Sequence, residues 1–223
     1  MSSKIRVLDE HTINKIAAGE VIENPASVVK ELVENSLDAG STEITVEIRG
    51  GGRQLIRISD NGCGMIPDDA LLCLERHATS KIRDVEDIFC VGTMGFRGEA
   101  IPSIASISKF TLLTCPHDKD AIGTMLNVEG GKVVSMAPAL RAPGTTIEVK
   151  SLFFNVPVRM KFQRSPTYDA NEILKVLSII ALGNPTKRIE MINNGKVVLS
   201  ALPALEDALE ERVRAVLGDE LAG

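Results

Sequence analysis

Residues 25–40, Pro-Ala-Ser-Val-Val-Lys-Glu-Leu-Val-Glu-Asn-Ser-Leu-Asp-Ala-Gly, carry a helix signal at both ends. Asn24 suits an N-cap, Pro25 the first helical position, and Gly40 a left-handed stop. At about 100° per residue, Val29, Leu32, Val33, Ser36 and Leu37 share one side, and Glu31, Asn35 and Asp38 line another. The first side is a core face, so the rest of the chain must supply a layer to cover it. The second is either an ordinary solvated face or a working set: two carboxylates and an amide that could activate a water and help hold a divalent cation.

The covering layer is readable downstream. Residues 43–48 and 55–59 alternate apolar and polar around a glycine break, which predicts a β-hairpin that runs directly into Asp60-Asn-Gly-Cys-Gly. Further strands are predicted at 109–114, 123–128, 132–136 and 145–149, and a hairpin with an Asn-Gly turn at 189–199. Helices are predicted at 9–21, 67–76, 100–107, 169–182 and 205–217. This order gives an α+β fold, with helices layered on one mixed sheet.

With 223 residues, 44% of them hydrophobic, the chain can bury one large domain, or one domain and part of another. The absence of Trp and the single Tyr leave little material for an aromatic platform under single-stranded nucleic acid. A net charge of −5 argues against a basic surface over the whole chain. Cys63, Cys73, Cys90 and Cys115 have no paired spacing, which reads as reduced thiols in a cytoplasmic protein. No apolar signal segment opens the sequence, and the longest apolar run, 173–182, is broken by Lys175 and too short for a bilayer.

Several smaller motifs are each ambiguous alone. Asp60-Asn-Gly is a turn, or a carboxylate at a strand end that accepts from an exocyclic amine while Gly62 and Gly64 let a flat ring approach. Thr145 and Thr146 are ordinary strand residues, or hydroxyls of the same pocket. Gly92, Gly95 and Gly98, with Arg97 among them, precede a predicted helix and suit phosphate oxygens, although neither a P-loop nor a dinucleotide spacing is present. Thr79, Ser80 and Lys81 are a solvated loop or a further phosphate contact. His77 has no ligand-spaced partner, so it reads as a packing or hydrogen-bonding side chain rather than a metal ligand.

Taken in order, Glu-Leu-Val-Glu-Asn-Ser-Leu-Asp-Ala-Gly, Asp-Asn-Gly-Cys-Gly-Met, Arg-His-Ala-Thr-Ser-Lys, Gly-Phe-Arg-Gly-Glu-Ala and Gly-Thr-Thr resemble the GHKL ATPases, most closely those of DNA mismatch repair. The resemblance runs from about residue 5 to residue 196. It implies the Bergerat fold, a two-layer sandwich, with ATP and Mg²⁺ as cofactors. It also implies roles: Glu31 as general base, Asn35 as the Mg²⁺ ligand, Asp60 as the acceptor of the adenine amine beside Gly62, Gly64 and Thr145, and Asp38 in support. Thr79, Ser80 and Lys81, together with Gly95, Phe96, Arg97, Gly98 and Glu99, would close over the phosphates as a lid.

The same resemblance implies slow hydrolysis used as a timer, with lid ordering and an ATP-dependent homodimer in the full-length protein. The implied partners are a MutS-like mismatch-recognition protein, a downstream repair nuclease or helicase, and DNA without sequence preference, in the bacterial cytoplasm at the nucleoid and without a membrane. A nucleotide-binding scaffold lacking turnover is the alternative. A histidine kinase core is disfavoured because His11, His77 and His117 lack the setting of a phosphoacceptor. The ATPase domain is expected to span 1–203, with 204–223 opening a second, transducer-like domain. One departure stands out: where the family reads L-F-Y-N-T-P-A-R-R-K-F, this chain has Met160 in place of a basic residue. The second-domain lysine that the family brings to the terminal phosphate, and the endonuclease motif of some members, are not among these residues.

Overall fold

The computed structural model describes residues 22–81, 98–204 and 208–217. The helix expected at 9–21 and the glycine-rich stretch at 91–97 lie outside these residues. Helix α1, Pro25–Asp38, forms where its caps place it. The Asn24 side chain accepts from the Ser27 amide at 2.9 Å, and the Gly40 amide returns to Leu37 O at 2.9 Å. Val28, Val29, Leu32 and Val33 are at most 1% exposed. Each fully buried side chain of this size contributes about 1.5–3 kcal/mol.

The layer beneath is an eight-stranded sheet built from β1 (Glu43–Arg49), β2 (Leu55–Asp60), β3 (Lys109–Cys115), β4 (Gly123–Glu129), β5 (Lys132–Ala139), β6 (Gly144–Lys150), β7 (Arg188–Asn193) and β8 (Lys196–Ala201). Their spatial order is β5-β4-β3-β6-β2-β1-β7-β8. The β1–β7 pair is parallel and the others antiparallel, so the sheet is mixed as predicted. Alternation turns Val46, Ile58, Ile147 and Leu112 toward the helices, all of them buried. The opposite face carries a charged row in which Arg57 bridges Glu47 on β1 and Glu148 on β6. Strand β5, at one edge, is exposed along nearly its whole length.

The other helices are α2 (Pro67–Leu72), α3 (Ala100–Ser106), α4 (Pro157–Lys161), α5 (Pro166–Gly183) and α6 (Leu209–Leu217). Helix α2 stops four residues before its predicted end, because the apolar spacing continues past the last helical turn into a loop. Helix α5 starts at Pro166, with Ser165 as N-cap accepting from Tyr168 N. It is held beside the β1–β2 hairpin by Arg53, whose Nη2 lies 2.7 Å from Asp169 Oδ2. Helix α6 packs on α5 and β8. Its buried Arg212 donates to Ala181 O at 2.9 Å, Asn184 O at 3.2 Å and Leu202 O. Among the described residues, no helix is long and apolar enough to cross a membrane.

Candidate nucleotide site

Strand register builds the first half of the site. Asp60, the last residue of β2, pairs with Thr145 on β6, and Thr145 pairs with Thr114 on β3, so three polar side chains share one end of the sheet. The Asp60 carboxylate is held on both oxygens. Oδ1 accepts from Gly62 N at 2.9 Å and Thr145 N at 3.2 Å, and Oδ2 lies 2.8 Å from Ser36 Oγ on α1. The Thr145 and Thr114 hydroxyls are 3.0 Å apart, and the Thr114 hydroxyl also accepts from Met65 N at 2.9 Å.

Two glycines make this turn possible. A Cβ on Gly64, at φ +66°, would stand 2.0 Å from Cys115 O, and one on Gly144, at φ +120°, would stand 2.2 Å from Asp60 O. Asn61 ties the turn to the chain leaving α1, since its Oδ1 accepts from Thr42 N at 2.9 Å and Glu43 N at 3.0 Å. Arg141 covers the strand end, donating to Asp60 O at 2.9 Å and Thr146 Oγ1 at 3.0 Å. Burial pulls the Arg141 guanidinium below its ordinary pKa, and the nearby Asp60 and Cys115 only partly restore it.

The second half lies on the polar face of α1. Lys81 Nζ donates to Asn35 Oδ1 at 2.9 Å and to Asp38 Oδ2 at 2.5 Å. Glu31, one turn earlier, has a partly exposed carboxylate 3.8 Å from Lys30 Nζ. Thr79 Oγ1 accepts from Lys81 N at 3.1 Å and so shapes the loop that delivers the ammonium. Gly98 accepts from His77 N at 3.2 Å, and Glu99 reaches Arg76 at 3.6 Å and His77 at 3.5 Å. The far end of the glycine-rich segment is thereby brought beside residues 76–78. Ser80 is exposed in the same loop. Gly92, Gly95, Phe96 and Arg97 lie outside the described residues.

The hard oxygens of Asn35 and Asp38 already gather around a cation, the Lys81 ammonium, and such donors suit Mg²⁺. Among the described residues no cluster of three or more His, Cys, Asp or Glu could hold a metal ion. Asn35 Oδ1 is an oxygen that could hold such an ion together with phosphate oxygens and water. A separate open groove of ≈ 540 Å³, lined by Ile66, Pro67, Pro116 and 118–122, includes none of the residues singled out from sequence.

The histidine kinase-, DNA gyrase B- and HSP90-like ATPase family matches residues 22–143, which include Asp60 and the polar face of α1. The DNA mismatch repair protein MutL of Citrifermentans bemidjiense is 52% identical over 222 residues, spanning 100% of this chain and 34% of that protein. The MutL of Geobacter sulfurreducens is 50% identical over 223 residues, 100% of this chain and 36% of that protein. A solved structure described as the Aquifex aeolicus MutL ATPase domain complexed with ADP superposes with a TM-score of 0.70 at 34% identity, covering 88% of this chain and 70% of that one. The chain belongs to the MutL branch of the GHKL ATPases. The N-terminal domain of a DNA repair protein gives a TM-score of 0.75 at 28% identity, covering 96% of this chain and 63% of that one. The chain spans about a third of the length of the curated MutL proteins it matches.

Within this MutL-branch fold, three residues that bear on the site escaped the sequence reading. Ser36 falls on the core face of α1 and is buried there, and it is also the partner of Asp60. A lone serine inside an apolar stripe was the available signal. Thr114 and Arg141 give none: the β3–β6–β2 register brings Thr114 beside Asp60, and the link between β5 and β6 carries Arg141 there.

Proposed function

We propose that the chain binds ATP with Mg²⁺ and hydrolyses it slowly, as the nucleotide-driven part of a mismatch-repair protein. The observation that carries this reading is the Asp60 carboxylate, anchored by Gly62 N, Thr145 N and Ser36 Oγ and set across from Glu31 and Asn35 on α1. A carboxylate held this way accepts from the exocyclic amine of adenine without having to reorganise. Asn35 would hold Mg²⁺, which when bound neutralises charge on the phosphates. Glu31, partly exposed on the same face of α1, takes a proton from the attacking water. Lys81, Thr79, Ser80 and the segment from Gly95 to Glu99 close over the phosphates, and Lys81 must then leave Asn35 and Asp38.

Closure would order the lid and promote pairing of two copies in the full-length protein, signalling from a mismatch-recognition partner to downstream repair factors on DNA. Residues 204–223 would open a second, transducer-like domain; within them, Arg212 of α6 donates to the carbonyls of Ala181 and Asn184 at the end of α5. That the Aquifex relative is described as complexed with ADP supports nucleotide binding here by likeness.

The test pairs two measurements. A nonhydrolysable ATP analogue with Mg²⁺ should raise the melting temperature of both the parent and Glu31→Ala, because it binds the native state. Phosphate release should fall about 10²–10⁴-fold in Glu31→Ala, the usual contribution of a positioned base. No melting shift in the parent would sink the nucleotide reading, and release at the parental rate would remove Glu31 from its role. Binding without any turnover in the full-length protein would favour the scaffold alternative.

A further inference from the structure

We propose that Arg159 is a positioning residue for the helix that bears Glu31, a role that rests on the ATPase reading above. Arg159 lies in α4, far along the chain from α1, yet its Nη1 donates to Ile22 O at 2.8 Å and Glu23 O at 3.4 Å. These two carbonyls immediately precede Asn24, the N-cap of α1. Its guanidinium also stands 5.8 Å from the centre of the Phe153 ring. A cation beside a helix N-terminus stands at the wrong end of the macrodipole, so helix stabilisation does not explain it. Holding the two carbonyls, and with them the direction in which α1 begins, does.

The other end of the same segment is fastened to α3, the helix that follows Gly98 and Glu99. Phe153 N donates to Ile107 O at 2.7 Å, and Asn155 Nδ2 donates to Ser106 O at 2.8 Å. Ser151 and Phe153 adopt φ +52° and +67°, left-handed values that non-glycine residues seldom take. Phe153, 1% exposed, offsets that strain by burial. Residues 151–159 therefore form a brace from the end of α3 to the start of α1. The Asp60 turn is fixed to the sheet by Thr145 and to the chain leaving α1 by Asn61, and it touches α1 itself at Ser36, five residues beyond Glu31. Ser36 is pinned to Asp60 about 7.5 Å along the axis beyond Glu31, so loosening the carbonyls at residues 22–23 frees the Glu31 end of α1 while the adenine acceptor keeps its contacts to Gly62 and Thr145. Small displacements of a general base are costly to turnover, since a 1 Å error can cost about 10²-fold.

The experiment measures kcat and KM for ATP, together with amide hydrogen exchange in the absence of nucleotide, for the parent chain, Arg159→Ala and Arg159→Lys. In Arg159→Ala, kcat is expected to fall about tenfold with KM within threefold of the parent. Exchange should quicken in peptides covering 22–31 and not in those covering α5. Arg159→Lys, which can still donate to a carbonyl, should recover part of both. Parental kcat, unchanged exchange at 22–31, or a joint collapse of kcat and binding that Lys does not relieve would each overturn the proposal. If Arg159→Ala does not fold, Arg159→Gln is read by the same criteria. A parent that binds nucleotide but releases no phosphate removes the hydrolysis reading and the catalytic consequence with it, while the exchange pattern still decides whether the brace exists.

Discussion

Replacing Asp60 by Asn should weaken binding of ATP analogues about 10- to 100-fold while leaving the fold in place. The amide oxygen can still accept from Gly62 N and Thr145 N, the donors that now bond Oδ1 at 2.9 and 3.2 Å. The amide nitrogen must then face Ser36, whose hydroxyl can turn its proton to Leu32 O, already 3.1 Å away, and accept in return. The protein's own network is thus re-satisfied at a cost of about 1 kcal/mol. The adenine amine is not so accommodated: on the α1 side it would meet a donor in place of an anion. A hydrogen bond to a charged group contributes about 1.5–3 kcal/mol, and each 1.4 kcal/mol is about a factor of ten. Isothermal titration with a nonhydrolysable analogue and Mg²⁺ measures the affinity, and the melting temperature without nucleotide checks the fold. Parental affinity in a folded Asp60→Asn protein would refute the assignment of Asp60 to the base.

Other substitutions probe the rest of the site and its support. Lys81→Met should lower the stability of the nucleotide-free protein by about 1.5–3 kcal/mol in urea unfolding, because the charged hydrogen bonds to Asn35 and Asp38 are largely sheltered from water. Gly64→Ala should cost about 2–4 kcal/mol by the same assay, since the new methyl meets Cys115 O and the backbone is left-handed there. Burial pushes the Glu148 carboxyl up, but Lys150 and Arg57 together outweigh it and hold the group below its ordinary 4.5. A depressed folded-state value means stability that is present above the unfolded pKa and lost as pH falls through the folded one. Stability measured from neutral into acid pH should therefore fall less steeply in Glu148→Gln than in the parent.

Local signals and long-range ones were unequally legible. Helix α1 could be bounded from sequence because its start and stop are chemical: an Asn cap, a Pro and a Gly within one short stretch. The strands are legible from alternation, yet alternation says nothing of which strands are neighbours or how a link folds back, so neither Thr114 on β3 nor Arg141 before β6 is visible beside Asp60. The polar row of Glu31, Asn35 and Asp38 was readable as a face but not as a site, because its partner Lys81 approaches from a loop whose path no periodicity encodes. Segment 153–162 offers from sequence only a comparison with the family motif, with Met160 in place of a basic residue. Its Arg159 donates to backbone carbonyls just before α1, a long-range contact that composition does not announce.

The meeting of Asp60, Thr145 and Thr114 on adjacent strands also bears on folding errors. A strand displaced by one position would turn its apolar side chains outward and be rejected by the core. A displacement by two positions keeps every apolar side chain inward, and the core cannot tell it from the native pairing. It would, however, push a side chain into the space that Gly144 leaves against Asp60 O. The Asp60 end of the sheet is then also its proofreading end: the glycine beside the proposed base acceptor rejects a misalignment that alternation alone would accept.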